Sequence, residues 1–246
     1  MIGAKPPHLL PAEERSKVVV KKDMYIDIGA TSQAEVEEAG VRQGDPITPR
    51  ADFLEMANGK TYLSKAFDDR VGVALMISAM QALLGGEHPN TIYGAATVME
   101  EVGLRGATTS VRVVDPDVAI VLESDIAGDV PGIKPEESSI KLGQGPTVLI
   151  YESRTIPNLK LRQLILEIAQ EKEIPVQVSY VEAGGTDAGA IHLHGIGVPS
   201  AVIGVAARHI HSHSSIIHRE DYDHAVKLLV ALIQRLDAGT VAGLTA

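Results

Sequence analysis

Two hydrophobic patterns follow each other along the chain. Up to about residue 62, apolar residues come in short β-like runs, such as 17–28, separated by polar residues and glycines. Asn58-Gly59 lies between two such runs and predicts a hairpin turn. From about residue 63 the apolar residues alternate between helical and strand spacing. We therefore predict a small β-rich domain over 1–62 and a larger domain over 63–246.

The second pattern resolves into alternating helices and strands. Helices are predicted over 71–82, 104–110, 159–171, 187–194 and 220–236, and strands over 91–99, 118–122, 147–150, 176–180 and 198–205. Strands that alternate with helices are typical of a sheet covered by helical layers. The predicted fold class is α/β, with a central mixed, mostly parallel sheet flanked by helices.

Composition narrows the kinds of site that the chain can build. The net charge is −10, which disfavours nucleic acid as a partner and suits the binding of cations. The chain has no Cys, so any transition-metal site must use His, Asp and Glu. No apolar run is long enough to cross a membrane, and a cytoplasmic location is expected.

Acidic residues and histidines occur where predicted strands end and helices begin. In open α/β sheets, ligands bind beyond the carboxyl ends of the strands. Two acids precede the first long helix, two follow strand 91–99, one follows strand 118–122, and four histidines follow strand 198–205. In that order they are Asp68-Asp69, Glu100-Glu101, Glu123, and His209, His211, His213 and His218.

Each of these features also has an ordinary explanation. Asp68-Asp69 could cap a helix, Glu100-Glu101 could form a solvated turn, and Glu123 could be a polar strand end. Most of the histidines could lie in an exposed loop, and we expect about one of the four to be a ligand. Two metals about 3.5–4 Å apart need a bridging carboxylate, terminal ligands and a carboxylate base. The four features together contain those groups.

At these residues the chain resembles the tetrahedral (TET) aminopeptidase family, whose members are also described as glutamyl, deblocking or cellulase M-like peptidases. The resemblance extends from the first residues to the last helix. Among the stretches that carry it are SKAFDDRVGVAL, TVMEEVGLRGA, PDVAIVLESDIAGDVPG and VEAGGTDAGAIHLHGIGVPSAVIGVAARHIHS. It implies an aminopeptidase that uses two divalent metal ions, zinc or cobalt, and acts on peptide substrates.

The resemblance also implies a role for each matching residue. Asp68 would bridge the two metals, with Asp69 supporting it, and Glu100 would be the general base. Glu101 and His211 would ligate one metal, and Glu123 the other. Thr186 and Asp187 match a loop beside the substrate, although a glycine-rich turn and a helix cap would explain them equally well.

One part of the family pattern has no counterpart in this sequence. Relatives carry a leading segment that supplies a further His ligand, and the region of His8 corresponds to an inserted β-barrel. The resemblance thus implies a partial small β-barrel-like domain at the N-terminus, followed by an incomplete catalytic domain. With one imidazole fewer, we expect about one tightly bound metal per chain and little activity. Homo-oligomers built from dimers are expected of the intact protein.

Three other functions remain open from the residues. A glycosidase would need two carboxyl groups about 5–9.5 Å apart, whereas adjacent glutamates on an extended chain point to opposite sides. A non-catalytic protein on a peptidase scaffold is compatible with the missing ligand. A deacylase would use the same motifs.

Overall fold

The computed structural model describes residues 1–245, and the contacts divide the chain into two units, Met1–Thr48 and Pro49–Ala246. In the smaller unit, β1 (Ile2–Ala4) pairs antiparallel with β2 (Met24–Ile26). Helix α1 (Gln33–Glu38) begins at Ser32, whose hydroxyl accepts a hydrogen bond from the Glu35 amide. No residue of this unit is buried.

The larger unit begins with the predicted hairpin. Strands β3 (Leu54–Glu55) and β4 (Thr61–Ser64) are antiparallel, and Gly59 between them has the left-handed φ of +64° that such a turn requires. The hairpin is therefore confirmed. Because β4 also pairs with a later strand, the hairpin packs with the larger unit. The domain boundary at residue 62 stays a prediction.

A seven-stranded mixed sheet organises the larger unit. The other strands are β5 (Ala119–Ile126), β6 (Thr147–Glu152), β7 (Gln177–Val181), β8 (Ser200–Arg208) and β9 (Ser215–His218). The strand order is β3-β4-β9-β8-β6-β7, and β5 pairs with the other edge of β8. Only β5–β8 and β6–β7 are parallel pairs among the described strands, because β6 runs antiparallel to β8 and the hairpin joins through β9. The sheet is thus mixed, as the sequence predicted.

Helices cover both faces of this sheet. They are α2 (Phe67–Leu83), α3 (Arg105–Val114), α4 (Leu159–Glu171), α5 (Ala188–Ile191), α6 (Arg219–Arg235) and α7 (Ala238–Gly243). Successive residues of a strand point to opposite faces. Accordingly, Ile120 and Leu122 pack against the cluster that contains α4 and α6, whereas Val121 packs with Ala188 of α5. The predicted α/β sheet flanked by helices is confirmed.

Two local predictions were wrong. Residues 91–99 are not a strand, since this segment has no hydrogen-bonded neighbour strand among the described residues, and most of its side chains are exposed. Residues 17–23 contain no strand either, because β1 is only three residues long and pairs with Met24–Ile26. Across residues 1–245, no helix combines the length and hydrophobicity that crossing a membrane requires.

Helix α2 lies unusually close to strand β5 at Gly72. A Cβ added at Gly72 would lie 2.5 Å from the carbonyl oxygen of Leu122 and 2.4 Å from Asp69 Oδ2. The Leu122 oxygen belongs to the sheet backbone and cannot move away cheaply. Glycine at this position therefore sets the distance between the start of α2 and β5, the two elements that carry Asp68, Asp69 and Glu123.

We expect Gly72→Ala to lower the free energy of unfolding by about 1–3 kcal/mol, because the added methyl group forces α2 away from β5. Denaturant unfolding would measure this loss. Gly243→Ala in α7 is the matched control, since a Cβ there meets nothing within 4 Å, and its effect should stay within about 0.5 kcal/mol. Equal losses in the two variants would contradict the close-packing explanation.

Candidate metal centre

A cleft of about 380 Å³ opens where several elements of the larger unit end. The start of α2 forms one side, and the turn before α3 forms another. Strand β5 and the loops after β6, β7 and β8 complete the wall. Among its lining residues are Asp68, Glu100, Glu101, Glu123, Thr186 and His211. Of the eight residues to which the family resemblance gives a role, six therefore line one cavity.

Three of these side chains come into direct contact. His211 Nε2 lies 3.3 Å from Asp68 Oδ2 and 3.6 Å from Glu101 Oε2. One ligand atom from each of the three residues lies within 4.8 Å of the other two. The three side chains differ in exposure: 17% of the Asp68 side chain is exposed to solvent, against 70% of the His211 side chain. We call Asp68, Glu101 and His211 the ligand triad.

The backbone that carries the triad is irregular at each position. Asp68 precedes the regular turns of α2 and is joined to Asp69 by a cis peptide bond. The turn that carries Glu101 has left-handed residues on both sides, at Met99 and Gly103. His211 itself has a left-handed φ of +60°. A left-handed φ costs free energy in residues other than glycine, so the surrounding packing must hold Met99 and His211 in place.

The chemistry of the triad fits a divalent metal ion. Two carboxylates and one imidazole are ligands that zinc and related transition metals accept, and the sequence offers no thiolate as an alternative. Further carboxyl groups also lie close to the triad and repel one another. Burial, together with repulsion from Asp69, Glu100 and Asp68, raises the pKa of Glu123. A cation in this cleft would relieve that repulsion.

Glu100 lies next to the triad on the same wall. Its carboxyl is partly buried, and burial is the largest cause that raises its pKa to about 7. The charges of Asp187, Glu101 and Asp68 raise the pKa further. A carboxyl group in such surroundings can both accept and return a proton near neutral pH.

Asp69 and Glu123 lie deeper than the triad. Asp69 Oδ1 accepts a hydrogen bond from the Gly72 amide at 3.1 Å, and burial raises the pKa of Asp69. Glu123 is inside β5 rather than after it, because β5 continues to Ile126. Its carboxyl lines the cleft but is not part of the close group of three found among residues 1–245.

The remaining predicted residues have other surroundings. Thr186 lines the cleft, whereas Asp187 is buried and accepts a hydrogen bond from the Thr97 hydroxyl. Of the four clustered histidines, the structure brings His211 alone into the ligand triad. His218 lies at the start of α6, where its Nδ1 accepts a hydrogen bond from the Glu220 amide at 3.2 Å.

One residue that lines the cleft was not predicted from the sequence. Glu152 ends strand β6 and lines the cleft, yet only 2% of its surface is exposed. Its Oε1 is buried and has no hydrogen-bond partner. Glu123 directly follows the predicted strand 118–122, whereas Tyr151 separates Glu152 from the predicted strand 147–150.

Known proteins with related sequences and structures share this arrangement of elements. The family description of M42 glutamyl aminopeptidases matches residues 1–228. The glutamyl aminopeptidase of Lactococcus lactis subsp. cremoris (strain MG1363) is 36% identical over 241 residues, which make up 98% of this chain and 66% of that protein. The chain thus spans about two thirds of the length of that relative.

Two solved structures extend the comparison. A TET aminopeptidase from the marine sediment archaeon Thaumarchaeota archaeon SCGC AB-539-E09 has a TM-score of 0.97 and 52% identity, covering 99% of this chain and 68% of that one. The Pyrococcus horikoshii TET1 peptidase, which can assemble into a tetrahedron or a large octahedral shell, has a TM-score of 0.80 and 32% identity, covering 95% of this chain and 67% of that one. The chain belongs to the M42 glutamyl aminopeptidase family.

Proposed function

We propose that this chain carries the catalytic cleft of a metal-dependent aminopeptidase, which hydrolyses the first peptide bond of its substrates. The observation that supports this function best is the ligand triad, whose ligand atoms lie within 4.8 Å of one another beside the Glu100 carboxyl. The membership in a family of aminopeptidases agrees with that chemistry. Peptides are the proposed substrates.

The same cleft offers ligands for two divalent metal ions, zinc or cobalt. We assign Asp68, Glu101 and His211 to one of them, and Asp68 together with Glu123 to the other. In this assignment Asp68 is shared, and Asp69 stabilises the start of α2 behind it. A metal of this kind polarises a carbonyl group and lowers the pKa of a water molecule. The excess of carboxylates around Glu123 supports the assignment, because each bound cation would lower their mutual repulsion.

Glu100 is the residue to which we assign proton transfer. Its carboxylate would accept a proton from the attacking water and then donate it to the amine that leaves when the peptide bond breaks. Thr186, on the loop after β7, lies where it can contact the substrate, and Asp187 supports that loop from its buried position.

Self-association is proposed for the smaller unit. Several large apolar side chains of this unit are exposed, among them Ile2, Val18, Tyr25 and Ile28. Exposed apolar surface of this kind is typical of protein–protein interfaces. We expect homo-oligomers built from dimers, and light scattering would measure their mass. Replacing Val18 and Tyr25 together with Ser should lower that mass, whereas a monomeric parent protein would contradict the proposal.

Substitutions of the adjacent residues Glu100 and Glu101 should impair different properties of the protein. We expect Glu100→Gln to keep its bound metal and to lower turnover by about 10²–10⁴-fold, because it removes a base and no ligand. Glu101→Gln should lose metal first. Atomic absorption on the purified variants, with the exposed Glu87→Gln as the control, would measure the metal content and its stoichiometry per chain. Equal metal loss in the two variants would contradict the division of roles.

Substrate class and metal dependence can be tested together. Aminoacyl amides should be hydrolysed at a low but measurable rate by the zinc- or cobalt-loaded protein, while cello-oligosaccharides should not be hydrolysed. Exhaustive chelation should abolish the amide hydrolysis, and adding the metal back should restore it. Full activity after chelation, or sugar release that disappears in Glu100→Gln, would overturn the proposed function.

A further inference from the structure

A buried carboxylate oxygen in the wall of the cleft lacks a partner. Glu152 is 2% exposed, and its Oε1 is buried without a hydrogen bond. Leaving one acceptor of a buried carboxylate unsatisfied costs free energy, and proteins seldom tolerate it without a reason. Since Glu152 lines the cleft, a bound molecule is a natural source of the missing donor.

The groups around Glu152 leave that oxygen without a partner. Burial raises the pKa of Glu152, and the amide and hydroxyl of Thr186 together with the charges of His192 and Arg154 offset only part of that rise. Neither His192 nor Arg154 forms an ion pair with Glu152 in the part of the chain that the structure describes. His192 Nδ1 is already bonded to the Ala188 carbonyl at 2.7 Å. Oε1 is therefore left for a partner from outside the chain, and a cation bound there would favour the ionised carboxylate.

Glu152 lines the same cleft as Glu100. Its charge is one of the causes that raise the pKa of Glu100, so the two carboxyl groups share one electrostatic environment. In a peptide, the α-amino group is two bonds from the carbonyl carbon that is attacked. A residue that binds this amino group must therefore lie near the base, as Glu152 does.

We propose that Glu152 recognises the free α-ammonium group of the substrate. This inference rests on the aminopeptidase function proposed above and adds the residue that makes the cleft selective for chain ends. An ammonium group supplies both a charge and a hydrogen-bond donor for Oε1. An N-acylated peptide would leave Oε1 unsatisfied and would put an apolar group against it. Sites built around such a bond reject ligands that lack the partner.

The test compares leucyl and N-acetyl-leucyl coumarin amides on the metal-loaded chain. In Glu152→Gln, kcat/KM for the leucyl amide should fall about 10–100-fold, mainly through a higher KM, since the ammonium is held equally in the ground and transition states. The low rate with the acetylated amide should not change. Glu152→Asp should restore part of the preference. Glu182→Gln, at an exposed carboxylate just beyond β7, is the matched control and should behave as the parent protein.

Three results would overturn the inference. An unchanged preference for the free amine in Glu152→Gln would exclude a role in recognition. A fall in kcat together with loss of metal would indicate a structural role instead. An effect confined to lysyl amides would mean that Glu152 binds a basic side chain. Calorimetric binding of leucinamide and N-acetyl-leucinamide gives the same comparison without turnover. If the parent protein hydrolyses no amide but binds leucinamide selectively through Glu152, the proposed function fails and the inference stands.

Discussion

Electrostatic repulsion among carboxylates is the constraint on which the cleft depends. Asp68, Asp69, Glu100 and Glu123 approach one another from three different elements, and burial weakens the solvent screening that would normally separate their charges. A fold gains nothing from such a cluster unless cations neutralise it or protons remain on it. The imidazole of His211 provides only one neutral ligand against this charge. The larger unit therefore has its most unfavourable electrostatics at the place where catalysis is proposed.

The framework around the cleft explains how this cluster can persist. Strand β8 is hydrogen-bonded along one edge to β5 and along the other to β6 and β9. It carries Arg208 at its end, where the guanidinium forms a paired hydrogen bond with Asp129, and this lowers the pKa of Asp129. The close packing of Gly72 against the Leu122 carbonyl also holds α2 against β5. Packing and ion pairing in the scaffold thus stabilise the fold and offset the repulsion among the acidic residues of the cleft.

Six of the residues that the sequence indicated line the cleft, whereas the predicted strand 91–99 does not form. Acids after apolar strands led to Glu100, Glu101 and Glu123 because the rule for α/β sheets depends only on local pattern. The tract of histidines could not be resolved in this way, since the choice of His211 depends on the turn that brings it to Asp68. Residues 91–99 have a strand-like pattern, but a strand requires a neighbour, and pairing is not encoded locally. Glu152 was missed because Tyr151 lies between it and the predicted strand 147–150, so that it does not directly follow an apolar run.

The absence of buried residues in the smaller unit has a thermodynamic consequence. Apolar burial provides most of the heat-capacity change on unfolding, so a unit without a core contributes little to a calorimetric transition. In an oligomer, that unit would obtain its core from neighbouring subunits. Its order would then depend on protein concentration, whereas the larger unit, with its own clusters around α4 and α6, would melt at a temperature that dilution hardly changes. Assembly and folding of residues 1–48 would be a single equilibrium.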